Sequence, residues 1–575
     1  MNRLLSLLVL AAVLACPSPA AAQTQKLNLR WRWVYATVNF QVNERVDELI
    51  ALMQRARKAG YTGLMVTDFK WGRFADRPAN YYANLKRTRQ SADELGLEII
   101  PCVMPVGYST SILMNDPNLA EGIAVRDCPF VAQSGQATVA DTAELLPGGT
   151  FDEPPAGNKF AAWDWMDGFG QSLFRDQKVK HAGAAAARME NFAKGNQAGN
   201  CRLVRKLGLT PWRQYHLSLW IKTDRLANPG DVRVALLTEK GRSLNFTELS
   251  VKATQDWTEH HLLLNPLEFA DLRLYVGIWG GRQGTLWIDD LSLRQTAGLN
   301  LLRRDGCPIK VASDDGRTLY VEGRDFEPWR YDKMGADPYP GSYRIVHPAP
   351  PIVLKPGSRI RDGQRLKVSF YHTVVVGDSQ VSGCLLHPDI FRYMEQQVRD
   401  VQKYFAPKKY FMSHDELRVA GQCELCRAGG KMAGEVLAEN ARRCTAMIHK
   451  VDPAAEIFVW SDMFDPFHNA RDQYYLVGST LKESWQGLDK DVRIANWNSG
   501  HRDESLPFFA GRGHKQIIAA YYDSGQWRAE LDQWLAAARK AGGVEGVIYT
   551  TWENNYRDLE AFAAALPKEE NPPLP

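Results

Sequence analysis

Along the first hundred residues, apolar positions alternate between two periods. Strand-like Leu29–Asn39 is followed by Val46–Ala59, where Val46, Leu49, Ile50, Met53 and Ala56 recur at helical spacing until Gly60 ends the run. Gly63–Phe69 reads as a buried strand with Asp68 at its end, Tyr81–Leu95 as a second helix and Glu98–Pro105 as a third strand. This βαβαβ order predicts a parallel sheet with crossover helices. Between about Gly107 and Arg365 the helical period disappears. Short β-rich runs replace it: Gln214–Thr223, Asp231–Leu237, Trp257–Leu264, Leu272–Ile278 and Gly284–Leu293, separated by Gly, Pro and Asn. They predict an antiparallel sandwich.

The alternation then returns. Strands are expected at Leu366–Tyr371, Tyr410–Met412, Ile457–Trp460, Val492–Trp497, Gln516–Tyr521 and Gly546–Thr551, with helices at Pro388–Tyr404, Lys431–Val451 and Arg528–Ala541. With the first three strands this makes nine candidates, whereas a closed (β/α)8 TIM barrel takes eight. One is extra or at an edge, and Leu366–Tyr371 could belong to the insertion. The predicted fold is α/β, a (β/α)8 barrel interrupted by a β-sandwich.

Length and charge narrow the function. The 575 residues suggest two to four domains, and a net charge of +4 is too small to point to nucleic acid or an anionic membrane. Met1–Ala22, with Arg3, the apolar run Leu4–Cys16 and Ala20-Ala21-Ala22, reads as a secretory signal peptide, so the chain is expected to be exported, periplasmic or extracellular. Val13-Leu14-Ala15-Cys16 also reads as a lipoprotein box, which would anchor the chain at Cys16; no transmembrane span is expected. Cys423-Glu424-Leu425-Cys426 is the one tight cysteine pair. A zinc site would need two more ligands that no second CxxC or HxxxH supplies, so a disulfide is favoured, and neither a metal nor a cofactor is assigned.

Barrel chemistry sits on loops after the strands' C-terminal ends. Tyr410-Phe411-Met412 runs directly into Ser413-His414-Asp415-Glu416; for both acids to reach one pocket the strand must end or bulge there. Asp-Glu pairs also occur at 47–48, 93–94, 152–153 and 503–504, so position after a buried strand is what singles this one out as catalytic. Trp460 and Asp462, Trp497, Tyr521-Tyr522-Asp523 and Trp552-Glu553 end later strands; Asp68 follows the second, Arg32 lies in the first, and His372 and His414 end strands as well. A lone aromatic at such a place is more often core than ligand. Three Trp with acids and amides nearby suit a pocket in which sugar faces stack on indoles and carboxylates bind hydroxyls.

These residues resemble the family 20 glycoside hydrolases, the β-N-acetylhexosaminidases. The matching elements are Asp415-Glu416, Trp460-Ser461-Asp462, the lone Trp497, Tyr521-Tyr522-Asp523 and Trp552-Glu553. The departures are Ser413-His414, where the family has Gly-Gly, and the adjacency of Trp552 and Glu553. The resemblance covers about 24–106 and 366–565. It implies substrate-assisted hydrolysis of a glycan or polysaccharide. Glu416 would be the acid/base, Asp415 would hold the acetamido N–H, and Tyr521 or Tyr522 the acetamido carbonyl. On a sugar without an acetamido group, Asp462, Asp523 or Glu553 would have to act as nucleophile or base. A non-catalytic glycan-binding protein is the reading from outside enzymology. Residues 155–297, through Trp163–Asp176, Val179–Gly183, Tyr215–Asp224 with a buried Trp220, and Trp287–Leu291, resemble jelly-roll carbohydrate-binding modules. The expected partition is signal peptide 1–22, barrel 24–106, sandwich 155–297, β-rich connection 298–365 and barrel 366–565.

Overall fold

The computed structural model describes residues 27–246, 248–376 and 380–567. The expected signal peptide and Cys16 therefore lie outside the described residues. Eight parallel strands close into a barrel: Trp31–Thr37, Gly63–Thr67, Glu98–Val103, Lys409–Met412, Glu456–Trp460, Arg493–Asn496, Gln516–Ala519 and Val544–Tyr549. Most are near-continuous apolar runs, as strands covered on one side by helices and on the other by a filled interior must be. Alternate side chains, among them Trp31, Trp33, Ile100, Phe411, Phe458, Ile517 and Ile548, pack that interior. The opposite faces meet helices Asn43–Ala59, Ala79–Leu95, Pro388–Phe405, Ala433–Val451, Arg502–Gly511, Trp527–Ala541 and Leu559–Ala565. Among the described residues no α-helix joins the fifth strand to the sixth; 3-10 turns Asp462–Phe464 and Ser484–Gly487 take its place.

The chain leaves the barrel after the third strand and re-enters before the fourth. In between, a five-stranded and a four-stranded antiparallel sheet, containing Gln214–Asp224 and Asp271–Ile278 respectively, enclose a separate core of Leu217, Leu219, Ile221, Leu274, Val276 and Ile288. Trp220 is not part of that core. Leu219 and Ile221 point inward, so Trp220 takes the other face and stacks on His181 with ring centroids 3.8 Å apart.

A further antiparallel sheet resolves the surplus strand. Arg365–His372 pairs with Ile123–Gln133 and Lys310–Ser313, and so lies outside the barrel portion that was expected to begin at 366. Its burial alternates residue by residue, the mark of a strand with one wet face, whereas the neighbouring barrel strand Lys409–Met412 is buried throughout.

Candidate active site

The loops at the C-terminal ends of the strands surround an open cleft of about 1210 Å³ whose walls include Tyr35, Asp68, Tyr108, Asp415, Trp460, Trp552 and Glu553. The fourth strand stops at Met412, and the chain turns so sharply that Glu416 adopts φ 47°. A non-glycine residue in the left-handed region needs support from its surroundings. Here Glu416 N–H donates to Asp462 Oδ2 at 2.9 Å and Gln380 Nε2 donates to the Glu416 carbonyl at 3.1 Å. Gly107, from the loop after the third strand, presses against the same turn: a Cβ there would lie 2.0 Å from the Asp415 carbonyl oxygen.

The Glu416 carboxylate, with 27% of its side chain exposed, accepts from Tyr108 Oη at 2.5 Å and pairs with Arg418 Nη2 at 2.9 Å. Arg418 is itself clamped. Its Nη1 donates to Gln380 Oε1, and its guanidinium lies 3.8 Å from the ring centre of Phe246, a residue of the sandwich. The sandwich thus supplies part of the site's outer wall, an attachment reinforced where Arg242 donates to the Tyr475 and Val477 carbonyls at 2.7 Å. Burial, with the charges of Asp462 and Glu416 added, pushes Asp415 up to about 8. Asp462 is pushed up to about 7, again mainly by burial. At neutral pH this cluster therefore retains proton-donating capacity, a property hydrolytic sites use.

The aromatic residues form a connected arc. Trp552, 46% exposed, lies edge-on to Tyr35 at 5.1 Å, 6.1 Å from Trp460 and 5.7 Å from Tyr522. Tyr522 stacks on Trp497 at 5.8 Å. Asp523 braces the arc rather than facing it, accepting from Thr551 Oγ1 and the Trp552 N–H at 2.6 Å each. Asp68 lines the cleft but spends its oxygens on the Phe40 and Lys70 N–H groups, at 3.2 and 2.9 Å.

Four expected site residues face elsewhere. Arg32 alternates with the inward Trp31 and Trp33, so it points outward and donates to the Pro567 carbonyl at 3.0 Å. Tyr521 is buried behind the barrel, stacked on Tyr549 at 4.0 Å and donating to Asp558 Oδ2 at 2.7 Å; of the two tyrosines, Tyr522 belongs to the site. His372 is buried beside the sandwich, where Asn265 Nδ2 donates to its Nε2 at 3.0 Å. His414 pairs with Asn440 Oδ1 at 2.9 Å. Burial pushes both imidazoles down to about 4, so they stay neutral. Sequence reasoning missed Tyr35, Tyr108 and Arg418. The period-2 inward face of the first strand could have shown Tyr35, but nothing local marks the other two.

The disulfide role favoured over a metal for Cys423 and Cys426 is not what the structure shows. All eight cysteines among the described residues are free, and Cys384 Sγ lies 3.6 Å from Cys423 Sγ and 3.7 Å from Cys426 Sγ.

No family model and no curated protein matches the chain. Solved structures do. A rhamnosidase from Novosphingobium sp. PP1Y is similar over 91% of this chain and 55% of its own, at 12% identity and TM-score 0.32. A β-N-acetylhexosaminidase is similar over 33% of this chain and 45% of its own, at 15% identity and TM-score 0.25. A CBM4 carbohydrate-binding module matches over 26% of this chain and 99% of its own, at 19% identity and TM-score 0.20.

Proposed function

We propose that the chain is an exported glycoside hydrolase acting on a glycan or polysaccharide, with Glu416 as general acid/base. The observation that carries this reading is that Asp415 lines the cleft with the aromatic arc of Tyr35, Trp460 and Trp552, while Glu416, next on the same turn, bonds the cleft-lining Tyr108 through its carboxylate. Indole faces would take the apolar face of a sugar ring while the carboxylates work at the glycosidic bond. Tyr108 and Arg418 fix the direction of the Glu416 carboxylate. Glu416 would protonate the leaving oxygen and then draw a proton from water. On a 2-acetamido sugar the substrate's own carbonyl oxygen attacks the anomeric carbon. Asp415 would accept the acetamido N–H and so polarise it, and Tyr522 would donate to the carbonyl.

A second reading rests on Glu553, which lines the same cleft as Asp415. On a sugar lacking the acetamido group, this carboxylate would be the enzymic nucleophile. Asp462 and Asp523 are less suited, since both are committed to backbone N–H groups.

Release of nitrophenol from aryl β-N-acetylglucosaminide, β-N-acetylgalactosaminide, β-glucoside, β-galactoside and β-glucuronide separates the readings. Turnover of the acetamido sugars alone, lowered at least about 100-fold in Glu416→Gln, supports substrate assistance. Turnover of the others, lost in Glu553→Gln, supports the enzymic nucleophile. Full activity in Glu416→Gln refutes both. Silence across the panel, together with glycan-array binding that survives Glu416→Gln, would make the chain a binding protein.

A further inference from the structure

Glu121, Cys384 and the Cys423–Cys426 pair come from three separate stretches of the chain and meet just past the loop that carries Glu416 and Arg418. All four side chains are buried, and one ligand-type atom from each lies within 4.8 Å of the other three. A disulfide would bring two sulfurs to about 2.05 Å. Instead Cys384 Sγ keeps 3.6 and 3.7 Å to its two neighbours. Four ligands around an ion with Zn–S bonds of about 2.3 Å leave sulfurs about 3.8 Å apart, the edge of a tetrahedron.

The carboxylate shows that this is more than thiol packing. Glu121 Oε1 accepts from the N–H groups of Gln422 and Cys423 at 2.7 and 3.0 Å. Among the described residues its Oε2 bonds the Cys426 thiol alone, at 3.6 Å. One oxygen is therefore held by backbone while the other is aimed into the group of sulfurs, the outer support that oriented metal ligands receive. A fully buried carboxyl facing three thiols must keep its proton or have positive charge nearby, and a cation among the sulfurs would supply that charge. The Arg304 guanidinium acts electrostatically on Cys384, Cys423 and Glu121 and partly offsets the surplus negative charge of three thiolates and a carboxylate.

We propose that these four residues bind one structural zinc ion. Each thiol gives its proton to solvent as its Zn–S bond forms, and Glu121 Oε2 closes a tetrahedron with no open position for chemistry. The ion ties together three segments: the one following the third barrel strand, the one carrying Gln380 and Cys384, and the one running from Glu416 to Cys426. Gln380 bonds the Glu416 carbonyl and Arg418 pairs with its carboxylate, so the ion would fix the segments that hold Glu416. The assignment does not depend on the glycosidase reading, and its test needs no substrate.

The full chain, purified in chelator-free buffer, should contain one zinc per chain by inductively coupled plasma mass spectrometry. Cys384→Ser and Cys423→Ser should fall below a tenth of that, while Cys444→Ser, whose thiol bonds Asn440 instead, should keep it. Should the cysteine variants fail to fold, the wild type is titrated with a mercurial in the presence of a zinc-binding dye. Release of one zinc as three thiols are blocked supports the site. Glu121→Gln should lose zinc to a chelator at least about tenfold faster; an unchanged rate removes Glu121 from the ligand set. Wild-type protein below a tenth of an equivalent that takes up none on zinc addition, or a disulfide among Cys384, Cys423 and Cys426 in peptide mapping, overturns the proposal.

Discussion

Gly107 lies against the turn that presents Asp415 and Glu416, and exchanging its hydrogen for a methyl group tests whether that turn performs the chemistry. Its backbone lies outside the left-handed region, so alanine adds no torsional strain; the effect is steric. The new Cβ would stand 2.0 Å from the Asp415 carbonyl oxygen and 3.1 Å from the Glu416 carbonyl carbon. Real Cβ atoms essentially never approach other heavy atoms below 3.0 Å, so the 415–416 peptide must retreat by about 1 Å. Its obstacle is backbone, which cannot swing aside. Overpacking of this kind costs about 1–3 kcal/mol of stability, which a chain with two separate cores should withstand. A 1 Å displacement of a catalytic group costs about 100-fold in rate, equivalent to about 2.7 kcal/mol of barrier. We therefore expect Gly107→Ala to retain a cooperative melt while kcat falls about 100-fold on whichever glycoside the wild type turns over. Gly511→Ala, with nothing within 4 Å of the added methyl, is the control and should match wild type. A Gly107→Ala enzyme with native kcat would refute the assignment of chemistry to this turn.

Tyr108→Phe removes the 2.5 Å donor to Glu416 but leaves Arg418 in place, so kcat should fall about tenfold; an unchanged kcat would show that the phenol does not act on Glu416. Trp552→Ala removes an exposed stacking face, so KM should rise about tenfold at nearly constant kcat; a fall confined to kcat would place Trp552 at the reacting centre instead. Burial raises Asp462 to about 7, so the unfolded chain loses this proton first and the associated stability, complete below about pH 4, is lost as pH rises through 7. The loss is at most about 4 kcal/mol. Denaturant unfolding across pH 4–8 should show a shallower decline in Asp462→Asn than in wild type, and parallel curves would exclude Asp462 as the titrating group.

The parts of this architecture that could be read from the chain depend on neighbours close in sequence. Runs such as Gly63–Thr67 announced barrel strands because burial on both faces leaves no polar positions. Arg365–His372 was harder to assign, because its partners Ile123–Gln133 and Lys310–Ser313 lie far away in the chain and only its alternating burial separates it from a barrel strand. The placement of Asp415 and Glu416 on a turn after a buried strand was legible from the apolar run before them. Tyr108 and Arg418 were not, since each earns its role through a contact that only the closed barrel creates. The same limit hid the third and fourth members of the cysteine cluster: Cys384 and Glu121 carry no spacing signal toward Cys423.

The excursion between the third and fourth strands also governs the order in which the molecule can assemble. Phe411 pairs with Cys102, so about 300 residues must be made before these adjacent strands can meet. At synthesis rates of about 5–20 residues per second, the first three strands wait at least about 15 seconds for their partner. The sandwich core, by contrast, draws nearly all its residues from one continuous stretch, and it can consolidate during that interval. Phe246 can then be in place when Arg418 emerges, so a finished domain would serve as the surface against which the acid-bearing loop of the unfinished barrel is laid down.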